Sequence, residues 1–136
     1  MADCLFCAII AGEAPAQIVD TDEHTVAFMD INPATAGHAL VIPRRHSADL
    51  LEISDSDLEH TMVAARRLAA RIKAVLDPAG FNVLNSCGVA AWQTVFHFHV
   101  HVVPRYDDDP LKLPWVPGPG DTDEIGALAE RIRDGA

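Results

Sequence analysis

With 136 residues, 49% of them hydrophobic, the chain is long enough for one compact domain with a substantial core and too short for two. Its 10 Lys and Arg against 20 Asp and Glu give a formal charge of −10, which repels polyanions and argues against generic nucleic-acid or acidic-membrane partners, while leaving a small phosphate able to bind backbone N–H groups and histidines. No apolar run approaches the roughly 18 residues of a membrane span, and Asp3 stands where a secretory signal carries basic residues, so a cytoplasmic location is expected.

One domain, 1–136, is read from the order of elements. Phe6, Ile9 and Ile10 recur at helical spacing and are stopped by Gly12 and Pro15, which predicts a short N-terminal helix. Gln17–Val19 and Thr25–Asp30 read as strands around the polar turn Asp20–His24, with Val26 and Phe28 alternating against Ala27 and Met29. After the loop Asn32–Gly37, a third strand is expected over His38–Ile42. A long helix begins behind Ser54 or Ser56, ends at Asp77-Pro78-Ala79-Gly80, and carries an apolar stripe of Leu58, Met62, Ala65, Leu68 or Ala69, Ile72, and Val75 or Leu76. Arg66, Arg67, Arg71 and Lys73 fall on its solvated face. Phe81–Leu84 and Phe96–Val103 complete a set of about five strands. Strand-helix alternation is absent, so the fold class is α+β with an antiparallel sheet, one long helix and two short ones. From about residue 105 a loop rich in aspartate and proline leads to a last short helix around Ile125–Ile132, capped near Asp121 or Thr122.

The chemistry concentrates in His97-Phe98-His99-Val100-His101. Successive side chains of a strand point to opposite faces, so the three imidazoles share one face while Phe98, Val100 and Val102 anchor the other. Imidazole near neutral pH serves as nucleophile, proton donor or metal ligand, and the row alone leaves a metal site as open as a nucleophile. Immediately upstream, Gly88-Val89-Ala90-Ala91-Trp92-Gln93-Thr94-Val95 is a small-residue loop whose N–H groups, with the side chains of Gln93 and Thr94, suit a phosphoryl group. The set Cys4, Cys7 and Cys87 is odd in number, which argues against a disulfide framework. Cys4 and Cys7 lie on adjacent turns and supply half of a tetrahedral zinc site; inert buried thiols or a redox pair are the other readings.

The segment Gln93–Arg105, with His97, His99 and His101 separated by single apolar residues, resembles the signature of the histidine-triad (HIT) superfamily of nucleotide hydrolases and transferases. Phe6–Pro15, Ala27–Pro33 and Gly37–His46 are similar to further blocks of the family in the same order. The resemblance implies a HIT-like fold and a nucleotide phosphoramidate or dinucleoside polyphosphate as substrate, cleaved at the α-phosphate. His99 is then the nucleophile and carries a nucleotidyl-histidine intermediate. His101 and Thr94 match positions near phosphate or leaving group, Gln93 matches a position close to the departing group, Val95 is counted with the nucleotide-binding residues, and His38 matches a fourth histidine, making a catalytic set of His38, His97, His99 and His101. Asp30 matches an acceptor for the ribose hydroxyls, suited because a carboxylate takes two hydrogen bonds at once. Phe6, Ile9, Phe28 and Ile31 match an apolar slot for the base and Asn85 lies near the sugar. A plain core role for Phe6, Ile9 and Phe28, and a turn role for Asp30, stay open.

The family also offers the missing zinc ligands, His46 and His97, for a structural Zn²⁺ with Cys4 and Cys7. By the same resemblance the protein is expected to be a homodimer binding a small purine nucleotide conjugate, with Trp115 and the loop Leu113–Gly118 reaching the other subunit's site. Trp92 departs from the family, whose members usually carry glycine there; a large ring beside the phosphate loop bears on leaving-group preference. Two competing readings follow: a zinc-dependent metallohydrolase that uses the histidine row itself as ligands, and a nucleotide-binding sensor without turnover.

Overall fold

The computed structural model describes residues 3–135. In chain order it contains helix α1 (Leu5–Ile10), strands β1 (Ile18–Thr21), β2 (Thr25–Met29) and β3 (Ala39–Pro43), helix α2 (Asp55–Leu76), strand β4 (Gly80–Leu84), a 3₁₀ turn (Val89–Ala91), strand β5 (Val100–Arg105) and helix α3 (Thr122–Asp134). The strands form one antiparallel sheet in the order β1-β2-β3-β5-β4. This is the expected α+β architecture. Among the described residues no helix is long and apolar enough to cross a membrane.

Both faces of the central strands are covered, and the two-residue period of each strand decides which side chain meets which helix. Ala27, Ala39, Val41, Val100 and Val102 pack with Phe98 against Ala64, Ala65, Leu68 and Ile72 of α2. Val26, Phe28, Leu40 and Ile42 pack on the other face with Phe6 and Ile9 of α1. Each large side chain fully removed from water contributes about 2 kcal/mol, so these two layers are what fix the register. His101, between Val100 and Val102, is turned to the α1 side.

Several boundaries differ from expectation. The first strand is Ile18–Thr21 rather than Gln17–Val19, because Asp22 closes the turn by accepting from the N–H groups of His24 and Thr25, both at 2.7 Å. The second ends at Met29 instead of Asp30, and the third runs Ala39–Pro43 rather than His38–Ile42. The expected strand Phe96–Val103 is ladder-paired only over Val100–Arg105. The Phe98 N–H donates to the Ser47 carbonyl at 2.7 Å, outside the sheet, so His97 and His99 sit in the bent approach to β5 and only His101 lies in the strand.

Helix α2 starts where expected: the Ser54 side chain accepts from the Asp57 N–H at 3.1 Å. Its buried stripe is Asp57, Thr61, Ala64, Ala65, Leu68 and Ile72, while Met62, Val75 and Leu76 are exposed. Thr61 is tolerated inside because its hydroxyl donates to the Asp57 carbonyl at 2.6 Å. Helix α3 is longer than expected, is capped by Asp121, and buries none of its residues. Gly37, just before β3, has φ +91°, a conformation that L side chains rarely adopt, and a Cβ there would also press on Pro104 Cγ at 3.2 Å, so the turn that delivers His38 favours glycine.

Two of the arginines expected on the solvated face clamp the β1–β2 turn to α2. Arg67 donates to Asp20 at 2.8 Å and to Asp22 at 2.7 Å, and Arg71 donates to the Val19 carbonyl at 2.9 Å. Burial raises the Asp22 carboxyl, but the bonds from Arg67 and from the His24 and Thr25 N–H groups outweigh it and hold the group down at about 2. A carboxyl depressed in the folded state from an unfolded value of about 3.9 stabilises above that value, and the contribution is lost as pH falls through the folded one. Asp22→Asn is therefore expected to lower Tm at pH 7, with the gap to wild type closing between about pH 4 and pH 2. Thermal melts across that range check it; a gap independent of pH contradicts it.

Candidate active site and metal centre

Three histidines are oriented by backbone groups and a fourth by one of these three, and each partner selects a tautomer. His97 Nε2 donates to the Pro43 carbonyl at 2.8 Å, which leaves Nδ1 a bare lone pair. His99 does the reverse: its Nδ1 donates to the His97 carbonyl at 2.7 Å, so Nε2 carries the lone pair. His38 accepts the Ala34 N–H on Nδ1 at 3.0 Å, so its Nε2–H donates to His101 Nδ1 at 2.9 Å and the proton of neutral His101 sits on Nε2.

Neutrality follows from burial. Desolvation, with the neighbouring His99 and His38 as further causes, pushes His101 down to about 4. Burial lowers His99 against the opposing pull of the His97 carbonyl and Asp30, and lowers His38 against the pull of Asp30. The result is an imidazole lone pair on His99 and an N–H donor on His101, with ring centroids 5.0 Å apart. Phe6 packs edge-on to His99 at 5.1 Å, and Asn85 Nδ2 donates to the His99 carbonyl at 2.8 Å, so ring and backbone are both braced.

His97 belongs to a different cluster. Its Nδ1 lies 3.5 Å from Cys4 Sγ, 3.5 Å from Cys7 Sγ and 3.3 Å from His46 Nδ1, and Cys7 Sγ is 3.4 Å from His46 Nδ1. A tetrahedral ion with bonds of about 2.3 Å to sulfur and about 2.05 Å to nitrogen requires edges of roughly 3.5 Å between sulfur and nitrogen and roughly 3.3 Å between nitrogens. These four separations match those edges, and all four donor atoms lie within 4.8 Å of one another. Cys4 enters from the N-cap of α1 and Cys7 from its first turn, while the Pro43 carbonyl fixes the His97 ring as an outer partner commonly does for a metal ligand. Burial and the adjacent Cys4 push the Cys7 thiol up, so a cation is what would displace its proton.

The three histidines of the row do not converge on one point. The metal-capable groups among the described residues are Cys4, Cys7, His46 and His97, and separately Asp30, His38 and His101; His99 is in neither. The geometry thus disfavours a single metal held by the row itself.

The other expected site residues fall in three places. Phe6, Ile9 and Phe28 are buried in the α1-side core, with the rings of Phe6 and Phe28 at 5.3 Å, whereas Ile31 is exposed. Asp30 accepts the Asn32 N–H on Oδ1 at 2.8 Å, and its Oδ2 is 3.5 Å from His38 Nε2, so its carboxylate joins the turn to the His38 ring. Gln93 is buried with its amide spent on backbone: Oε1 accepts the Gly88 N–H at 2.8 Å, and Nε2 donates to the Ala48 and Val95 carbonyls at 2.8 and 3.0 Å. It clamps the loop and offers no spare donor for phosphate. Thr94 and Val95 line a cavity of about 440 Å³ with Cys4 and His46. A larger cavity of about 1030 Å³ is lined by His38, His101, Asn85 and Trp92, and also by Leu113 and Trp115 of the same chain.

What sequence reasoning missed is chiefly backbone: the Ala34 N–H and the Pro43 and His97 carbonyls that set the tautomers. A family model described as HIT domain matches residues 11–108. The chain is 43% identical over 104 residues to Protein hit of Bacillus subtilis, covering 76% of this chain and 72% of that protein. A Zn-bound histidine triad family protein from Mycobacterium smegmatis superposes with TM-score 0.78 and 38% identity over 97% of each chain. A histidine triad nucleotide-binding protein from Candida albicans does so with TM-score 0.86 and 33% identity, covering 97% of this chain and 96% of that one.

Proposed function

The chain belongs to the HIT family, and on that footing we propose that it hydrolyses nucleotide conjugates, phosphoramidates or dinucleoside polyphosphates, at the α-phosphate through His99. The observation that carries this reading is the 2.7 Å bond from His99 Nδ1 to the His97 carbonyl, which leaves Nε2 as a neutral nucleophile on a braced backbone.

In the first step His99 Nε2 bonds to the α-phosphorus as the bond to the leaving group breaks, and the leaving group takes a proton from solvent water. Water then attacks the same phosphorus and returns a proton to solvent as the P–Nε2 bond breaks, and a nucleoside monophosphate leaves. Charge gathers on the non-bridging oxygens in each step, and the His101 Nε2–H, held in place by His38, is a donor already aligned for it. Asp30 retains lone pairs for the ribose hydroxyls, and the apolar residues Phe6, Ile9, Phe28 and Ile31 flank the base, with Asn85 near the sugar. Cys4, Cys7, His46 and His97 would hold a structural Zn²⁺, whose contribution is to fix the approach to β5 rather than to take part in bond breaking. Two chains are proposed to pair as a homodimer, as the resemblance implies.

The test is a rapid quench under denaturing, non-acidic conditions after mixing with a panel of adenosine and guanosine phosphoramidates and dinucleoside polyphosphates. Intact mass spectrometry is expected to find one nucleotidyl group per chain, confined to His99. Folded protein that turns over none of the panel and never carries the adduct overturns the proposal; nucleotide binding without turnover would favour the sensor reading instead.

A further inference from the structure

Trp92 is anomalous on two counts. Its backbone has φ 75° and ψ 20°, a left-handed conformation that glycine adopts freely and a bulky residue does not. Its indole gains little from folding in return, being 71% exposed. The conformation is nevertheless fixed. The Trp92 N–H donates to the Val89 carbonyl at 3.0 Å, the Gln93 N–H donates to the Gly88 carbonyl at 3.1 Å, and the buried Gln93 amide ties the loop to Ala48. A strained backbone that holds a large aromatic ring in solvent is a feature expected at a binding surface.

The ring's surroundings say which surface. Trp92 lines the larger cavity together with His38, His101 and Asn85, so that cavity opens on the phosphate-facing histidines. None of Phe6, Ile9, Phe28 or Asp30 lines it. Of the residues assigned to base and sugar only Asn85 borders it, so it is space that continues from the sugar end past His101, away from the base slot, and it suits the departing half of a conjugate. Trp115, 63% exposed, contributes a second indole to the same cavity. Arg105, another lining residue, has its guanidinium spent on Asp109 and Asn82, so Lys112 is the cation left at the rim and the two indoles are the aromatic surfaces of the cavity.

We infer that Trp92 is a specificity-determining residue that stacks on the leaving group, so that the enzyme prefers conjugates whose departing half carries a planar aromatic ring. The inference rests on the nucleotide-conjugate reading above and adds the chemistry of the second half of the substrate. Indole–ring stacking tolerates many ring types, so the preference is for aromaticity rather than for one compound.

The test compares two adenosine 5′-phosphoramidates with the same P–N linkage, one made from phenethylamine and one from ethylamine. Wild type is expected to show kcat/KM about tenfold higher for the phenethyl conjugate, a factor in the range stacking supplies. Trp92→Gly, which suits the local backbone and so keeps the fold, is expected to reduce that ratio at least about fivefold, and Trp92→Phe to keep a substantial part of it. An unchanged ratio in Trp92→Gly overturns the inference while leaving the hydrolase reading intact. A binding measurement separates the two ideas in the other direction: His99→Asn protein is titrated with each conjugate, with and without Trp92→Gly. Should wild type turn over neither conjugate, the hydrolase reading fails, and the inference stands or falls on whether the phenethyl conjugate binds more tightly and loses that advantage with Trp92. Binding of neither conjugate defeats both.

Discussion

Replacing His99 by alanine is expected to lower kcat/KM toward phosphoramidates by about 10⁴-fold or more, the scale seen when a covalent nucleophile is removed from a site whose other parts remain. No neighbour can take over. His101 has its Nδ1 engaged by His38, and His97 has its lone pair directed into the Cys4, Cys7 and His46 cluster. The substitution also removes a buried ring from beside Phe6, so folding is checked by circular dichroism and by nucleotide affinity. His99→Asn keeps more of the side-chain volume and should lose activity equally. Imidazole added to His99→Ala should restore a measurable fraction. Activity within about tenfold of wild type in a folded His99 variant would show that the covalent route is wrong.

The second large effect concerns the metal centre. Structural zinc contributes about 10–16 kcal/mol in peptides that have no other means of folding. Here two hydrophobic layers support the sheet independently, so only part of that should appear in the stability of the domain. Stripping the metal with a chelator, or replacing Cys7 by serine, is expected to cost about 3 kcal/mol, equivalent to roughly 10 °C in Tm for a domain of this size. Differential scanning fluorimetry with metal analysis checks both halves: about one zinc per chain as purified, and a Tm that drops on chelation and recovers on re-addition. Negligible metal, with a Tm indifferent to chelator, would remove zinc from the description.

The sheet, its helices and the histidine row were readable from side-chain pattern because pattern is what the two core layers respond to. Val26, Phe28, Leu40 and Ile42 on one face and Ala27, Ala39 and Val41 on the other follow the strand period without exception. Clustering of Cys4 and Cys7 with His46 and His97 was accessible only through resemblance, since nothing in local spacing brings residues so distant in sequence together. Two things escaped. The end of the ladder at Val100 depends on a carbonyl of Ser47, and the tautomers depend on an N–H of Ala34 and on carbonyls of Pro43 and His97. Backbone groups of this kind are carried by nearly every residue, so no residue type advertises them. Gln93 illustrates the converse error: its amide looked like a phosphate donor by type, yet a loop with few side chains of its own uses that amide to hold its shape.

His97 is the residue where these threads meet, since its ring faces the cysteines while its peptide oxygen receives the proton of His99. One residue thus mechanically links two sites that share no ligand atom. Loss of the metal would remove one restraint on that peptide and leave two, the Phe98 N–H bond to the Ser47 carbonyl and the His97 Nε2 bond to the Pro43 carbonyl, so the fraction of chains presenting a bare His99 Nε2 should fall without vanishing. Metal occupancy would then tune turnover, with kcat expected to rise with zinc content while KM stays constant.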